Sequence, residues 1–178
     1  MSTPADQCQG PATVVHDPSL TDYDFGPDHP MSPVRVDLTV ALATDLGVLA
    51  ASGAAPAAGV LRAVPAPMAS ADQLATVHDP RLIEAVMAAG ADPTRASADF
   101  GLGTEDNPAF AGMHEAASHV VGASLEAFRQ VWSGESLHSA NITGGLHHAM
   151  PDRASGFCIY NDVAVGIQWL LDQGAQRV

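Results

Sequence analysis

Short apolar segments alternate with longer stretches in which apolar residues recur every three or four positions, and this alternation limits what the chain can become. "TVVH" (13–16), "VLRAV" (60–64) and "LHSANI" (137–142) read as strands. Between and after them come "VRVDLTVALATDLGVLA" from Val34, "RLIEAVMAAG" from Arg81, "AGMHEAASHVVGASLEAFRQVW" from Ala111 and "DVAVGIQWLLDQG" from Asp162, all at helical spacing. Strands separated by helices favour a parallel sheet with flanking helices, so the expected class is α/β.

Local signals place the helix ends. Pro33 precedes the first helix, and Ser70 with Gln73 stands at capping-box spacing for a short second one. Asp79 and Pro80 supply a cap and a first-turn proline before a helix that Gly90 is expected to end. The long helix should stop near Gly134, and the last one should begin at Asn161 or Asp162 and end at Gly174. "VHDP" occurs at 15–18 and 77–80 with unrelated flanks, which reads as turn and cap chemistry used twice, not as a repeat. Residues 91–110 form a long polar loop, "ASGAAPAAG" (51–59) a flexible connector, and residues 1–12 a disordered tail before a single unit, 13–178.

Composition narrows the function classes. At 178 residues and 47% hydrophobic, the chain has enough material for one sizeable core. Seven basic against twenty acidic residues give a formal charge of -13, which argues against direct binding to nucleic acid or an anionic membrane. The N-terminus lacks the basic and apolar regions of a signal peptide, and no stretch nears the roughly 18 apolar residues of a bilayer span, so a cytoplasmic setting is expected. Cys8 and Cys158 are the only cysteines, which suits a reducing compartment.

The chemistry concentrates in "NITGGLHHAMPDRASGFCIYND" (141–162). Adjacent histidines in an extended segment point to opposite sides, but in a glycine-supported loop His147 and His148 can converge on one pocket. Two imidazoles near neutral pKa can supply a general base and an electrostatic partner. The run "GGLHHAMPDRASGFCIYND" resembles the active-site segment of the histone deacetylase and acetoin-utilisation deacetylase family, and "YDFGPDHPMSPVRV", "VHDPRLIEAV" and "GLGTEDNPAFAGMHEAA" resemble further family segments in the same order.

The resemblance implies an arginase/deacetylase-like fold, incomplete at its C-terminus, with residues 13–178 as the N-terminal part of a deacetylase domain. It implies that His148 is the proton-transfer group and His147 its electrostatic partner beside a zinc-bound water. Asp106 would be the rim aspartate that accepts hydrogen bonds from substrate backbone. Gly156 and Phe157 would line the narrow channel for an acyl-lysine stem, and Arg35 the exit cavity behind it. Tyr23, Asp28 and His29 would sit at the channel mouth without assigned roles. Cys158 reads as a small buried apolar residue, and His16, His78, His114, His119 and His138 as structural.

The family's zinc ligands lie in a downstream D-x-H strand motif and a later Asp, and residues 1–178 contain neither those nor an H-x-D or HExxH substitute. No metal ligand is therefore assigned in this chain, and zinc is expected of the intact family only. The same is true of the buried acids that orient the family's histidines. Two expectations follow: an inactive portion of a zinc-dependent deacylase acting on an acetylated protein or small acetylated amine, or a non-catalytic binding remnant of the same fold. Acyl length and oligomeric state are open.

Overall fold

The computed structural model describes residues 12–50, 54 and 56–178. Nearly all of the expected N-terminal tail, and residues 51–53 and 55 of the connector, lie outside the described residues. Three parallel strands, β1 (Ala12–Val15), β2 (Arg62–Val64) and β3 (His138–Ala140), form a sheet in the order β2-β1-β3. Thr13 faces Arg62 on one side and Ser139 on the other, and the Thr13 hydroxyl donates to Ser139 Oγ at 2.9 Å. Val14 and Val15 of this central strand are buried, as two-sided cover of a parallel strand requires.

Among the described residues there are five helices, α1 (Val34–Asp45), α2 (Ala71–Leu74), α3 (Pro80–Ala91), α4 (Met113–Trp132) and α5 (Asp162–Asp172); α4 packs on β1 and β3, and α3 and α5 pack on α4. At 20 residues, α4 runs about 30 Å through the core. Its buried face is built largely of small residues, and at Gly122 a Cβ would lie 1.8 Å from the Pro67 carbonyl oxygen. The absent side chain lets residues 67–69 approach, and the Ala69 N–H donates to Ser118 O at 3.0 Å. Val120, Val121, Leu74, Leu82, Val86 and Ile159 are almost inaccessible. Burial of each such side chain is worth about 1.5–3 kcal/mol before entropy is counted.

The cap chemistry follows the residues. Ser70 and Gln73 make a reciprocal capping box, and Asp79 accepts from Arg81 N at 2.8 Å behind Pro80. In the other "VHDP", Asp17 accepts from Ser19 N at 2.9 Å and starts a 3-10 turn, so the tetrapeptide does the same local work twice. Asn161 caps α5 through Ala164 N at 2.9 Å, and Gly134 and Gly174 take left-handed φ beyond α4 and α5.

The strands are trimmed or shifted by one or two residues from the expected spans, and two helix ends differ as well. Gly90 does not end α3, which continues to Ala91; a Cβ there would stand 3.2 Å from His114 N, so this glycine serves the contact of α3 with the start of α4. The first helix stops at Asp45, because Gly47 at φ 68° turns the chain and Leu49 leaves to bridge Leu61 beside the sheet. The long polar loop holds two 3-10 turns, Pro93–Arg95 and Ala98–Phe100. Among the described residues no helix is long and apolar enough to cross a membrane.

Candidate active site

The loop from β3 to α5 leaves the C-terminal end of the sheet, where open α/β folds bind their ligands. The first turn of α5 and the residue before it hold this loop from below. Asp162, 1% exposed, accepts from Gly145 N at 3.0 Å and Leu146 N at 2.6 Å, and also from the Ser124 hydroxyl on α4. Asn161 Nδ2 donates to His147 O at 3.2 Å and Ala149 O at 3.1 Å. Gly144 is obligatory at this approach, since a Cβ would stand 2.5 Å from Asp162 Oδ2 and 2.8 Å from Ser124 Oγ.

His78 holds the far side of the loop. Its Nε2 lies 2.9 Å from Asn161 N, which can only donate, and its Nδ1 lies 3.1 Å from Met150 O, which can only accept. The ring is therefore neutral with its proton on Nδ1. Burial lowers its pKa below the ordinary histidine value, in keeping with that state. His114 is also held low by burial, and its Nδ1 lies 3.0 Å from the Tyr160 hydroxyl away from the loop.

On this support His147 and His148 are brought side by side. Their ring centroids are 4.5 Å apart at 36°, both are exposed, and His147 Nδ1 lies 2.9 Å from Gly145 O. Gly156 packs so closely on His148 that a Cβ would come within 2.9 Å of its Cβ and Cγ. Gly156 and Phe157, at φ 54° and 68°, are the central residues of a tight turn in which Ser155 and Cys158 exchange backbone hydrogen bonds. Positive φ at both central positions defines a type I′ turn. For Phe157 that conformation costs about 1–3 kcal/mol.

Tyr23 holds the turn in place. Its hydroxyl donates to Phe157 O at 2.8 Å and accepts from Ile159 N at 3.0 Å, and burial raises its pKa well above the ordinary tyrosine value. The Phe157 ring meets His29 edge to face at 4.5 Å. A cavity of about 360 Å³ opens here, lined among others by Met31, Arg35, His148, Gly156, Phe157 and Cys158. That volume is in the range of about 300–1,000 Å³ usual for small-molecule sites. The Cys158 thiol donates to Gly156 O at 3.2 Å, and burial pushes its pKa up, the reverse of an activated nucleophile.

The structure thus gathers His148, Gly156, Phe157 and Arg35 around one cavity with His147 beside it. Asp106 does not line it; this exposed residue lies in a turn closed by Gly103 N donating to Asn107 O at 2.9 Å. Its loop is tied to the site segment through Ala154 N donating to Phe100 O at 2.9 Å. Sequence reasoning missed the anchoring roles of His78, Asn161 and Asp162 and left Tyr23 without one. The available signal was a polar pair, Asn161-Asp162, directly before an apolar helix and after a glycine-rich loop. Among the described residues no three His, Cys, Asp or Glu side chains converge closely enough to hold a metal ion. The donors present therefore do not fit a zinc centre.

Both the sequence and the fold of this chain have counterparts among known proteins. The histone deacetylase domain family matches residues 29–178, and the chain belongs to that family. It is 43% identical over 166 residues to the acetoin utilization protein AcuC of Bacillus subtilis, covering 92% of this chain and 41% of that protein. The AcuC of Staphylococcus aureus strain MRSA252 is 34% identical over the same share of the chain and 40% of its own length. The chain thus spans about two fifths of the curated relatives it matches. A crystal structure of a histone deacetylase homolog from Aquifex aeolicus superimposes with a TM-score of 0.73 over 94% of this chain and 43% of the other, at 23% identity, and so shares the fold.

Proposed function

We propose that residues 13–178 form the N-terminal part of a deacetylase domain and contribute the proton-transfer side of a site that hydrolyses an acyl amide. The whole protein would act on acetyl-lysine in a protein or on a small acetylated amine, in the cytoplasm. The observation that bears most on this reading is the side-by-side pair His147 and His148 next to a cavity walled by Phe157.

His148, beside the cavity, is assigned as the group that takes a proton from the attacking water and returns it to the departing amine. His147 is its electrostatic partner. The Phe157 face and Gly156 form the wall against which the methylenes of a lysine stem would pack, and Asp106 accepts hydrogen bonds from substrate backbone at the rim. The described residues do not form a zinc site, and the transfers assigned here are those of imidazole alone.

The test has two arms. The 178-residue chain with added zinc should not turn over an acetyl-lysine peptide. Turnover abolished by chelator, with equimolar zinc retained after dialysis, would refute that. In a chimera that adds the part of the Bacillus subtilis relative outside the match, His148→Ala should lower kcat by roughly 10²–10⁴ and leave KM little changed. Equal losses in binding and turnover would contradict the role given to His148.

A further inference from the structure

The substrate contacts assigned above come from two segments far apart in sequence: Asp106 from the loop after α3, and Gly156 with Phe157 from the loop before α5. A substrate held by both needs them at a fixed separation. The two segments meet where Gly101 lies against Ala154. Gly101 has φ 70°, and a Cβ there would stand 2.1 Å from Ala154 O and 3.0 Å from Ala154 C. Both obstacles are backbone atoms, so no side-chain rotation makes room. Beside this contact the Ala154 N–H donates to Phe100 O at 2.9 Å, and Ala154 itself is buried. From here each segment runs to its substrate group with little slack. On one side Leu102 is buried, and the residues after it form a loop around Asp106 closed by Gly103 N–H to Asn107 O at 2.9 Å and Asn107 N–H to Thr104 Oγ1 at 3.1 Å. On the other side Ser155 directly opens the tight turn of Gly156 and Phe157, which the Tyr23 hydroxyl clamps.

We propose that Gly101 is a positioning residue for substrate: by admitting the Ala154 backbone it fastens the rim loop to the channel wall, so that Asp106 and Phe157 move as one unit. A substrate that spans both contacts then binds without first ordering either loop, and preorganisation of this kind strengthens binding. The histidine pair is held separately, by Asn161 and Asp162, so the fastening bears on binding and not on proton transfer. The role in recognition rests on the reading of Asp106 and Phe157 as substrate contacts, whereas the fastening is a property of this chain without substrate.

Hydrogen exchange on the 178-residue chain reads the fastening directly. In Gly101→Ala the amides of Ala154, Ser155 and Cys158 should exchange faster by roughly tenfold or more, while those in the middle of α4 keep their rates. Gly103→Ala is the control. It too forces a side chain into left-handed backbone, at φ 73°, but its Cβ would meet only Ala96 Cβ, at 3.0 Å, so it should loosen the rim loop alone. Coupling is reciprocal, so Tyr23→Phe, which takes the clamping hydroxyl from the turn, should speed exchange at Gly103 and Asn107. That variant decides the matter even where Gly101→Ala does not fold. Unchanged rates at Ser155 and Cys158 in Gly101→Ala, equal acceleration there in Gly103→Ala, or unchanged rim amides in Tyr23→Phe would overturn the proposal. In the chimera with the Bacillus subtilis relative, Gly101→Ala should raise KM for an acetyl-lysine peptide several-fold with kcat little changed, and by less when Asp106→Ala is already present. Strictly additive effects on KM would overturn the role in substrate positioning. A chimera with no turnover would refute the proposed function instead, and the exchange rates would still decide the fastening.

Discussion

His78 shows how a residue with no chemical role can govern a site. Both its nitrogens are engaged, and the groups they meet belong to Asn161 and Met150, 83 and 72 residues along the chain. No local pattern announces such a partnership. The histidine pair, the glycines beneath it and Phe157 were legible as a contiguous motif, whereas His78, Asp162 and Tyr23 show their importance only when folding brings distant partners to them. A pH dependence follows. Burial holds His78 and His114 below their ordinary value of 6.5, so the unfolded chain takes up protons first as pH falls. Their contribution to stability is whole above about pH 6.5 and is lost progressively below it. The melting temperature should thus fall between pH 7 and pH 5, and His78→Gln should flatten that slope. Asp79, pulled down to about 2 by its hydrogen bond to the Arg81 side chain, acts in a separate window: its contribution is present above about pH 3.8 and lost toward pH 2. A slope between pH 7 and 5 identical in wild type and His78→Gln would refute the assignment to His78.

At the level of elements, the helices with strong end signals came out as the residues suggest, because capping is settled within three or four positions. Contacts between helices were not legible in that way. Gly166 sits in the middle of α5, where a glycine ordinarily costs about 1 kcal/mol relative to alanine. Its use is visible only across the interface: a Cβ there would stand 2.1 Å from Cε2 of Phe128 on α4. Gly166→Ala should therefore destabilise by about 1–3 kcal/mol, the usual cost of overpacking, in place of the gain expected at an unconstrained helix site. Combining it with Phe128→Leu should recover part of the loss. Chemical denaturation of the two single variants and the double variant reads this directly, and strictly additive effects would show that the two side chains do not compete for the same space.

At the scale of the whole molecule, a row of apolar side chains on α1 is left uncovered among the described residues. Val34, Leu38 and Leu42, with Leu46 just beyond the helix, recur every fourth residue and are 56%, 64%, 60% and 69% exposed. The α5 residues Val163, Ile167 and Leu170 are half-buried, so α1 carries the more exposed apolar face of the two helices. Periodicity tells that a helix has an apolar face but not whether anything lies against it. The isolated chain should bind a hydrophobic dye or self-associate despite its charge of -13, and Leu38→Glu with Leu42→Glu should reduce either effect. A wild-type monomer with no dye binding would contradict this. The order β2-β1-β3 has one more consequence, which concerns time. The central strand, β1, precedes both its neighbours in the chain, and its Thr13 hydroxyl reaches Ser139 across 126 residues. At a synthesis rate of about 5–20 residues per second, β1 waits roughly 6–25 s on the ribosome before its second neighbour exists. Throughout that interval Val14 and Val15 belong to an unfinished sheet, and the histidine loop, made directly after β3, is among the last parts of this chain able to form.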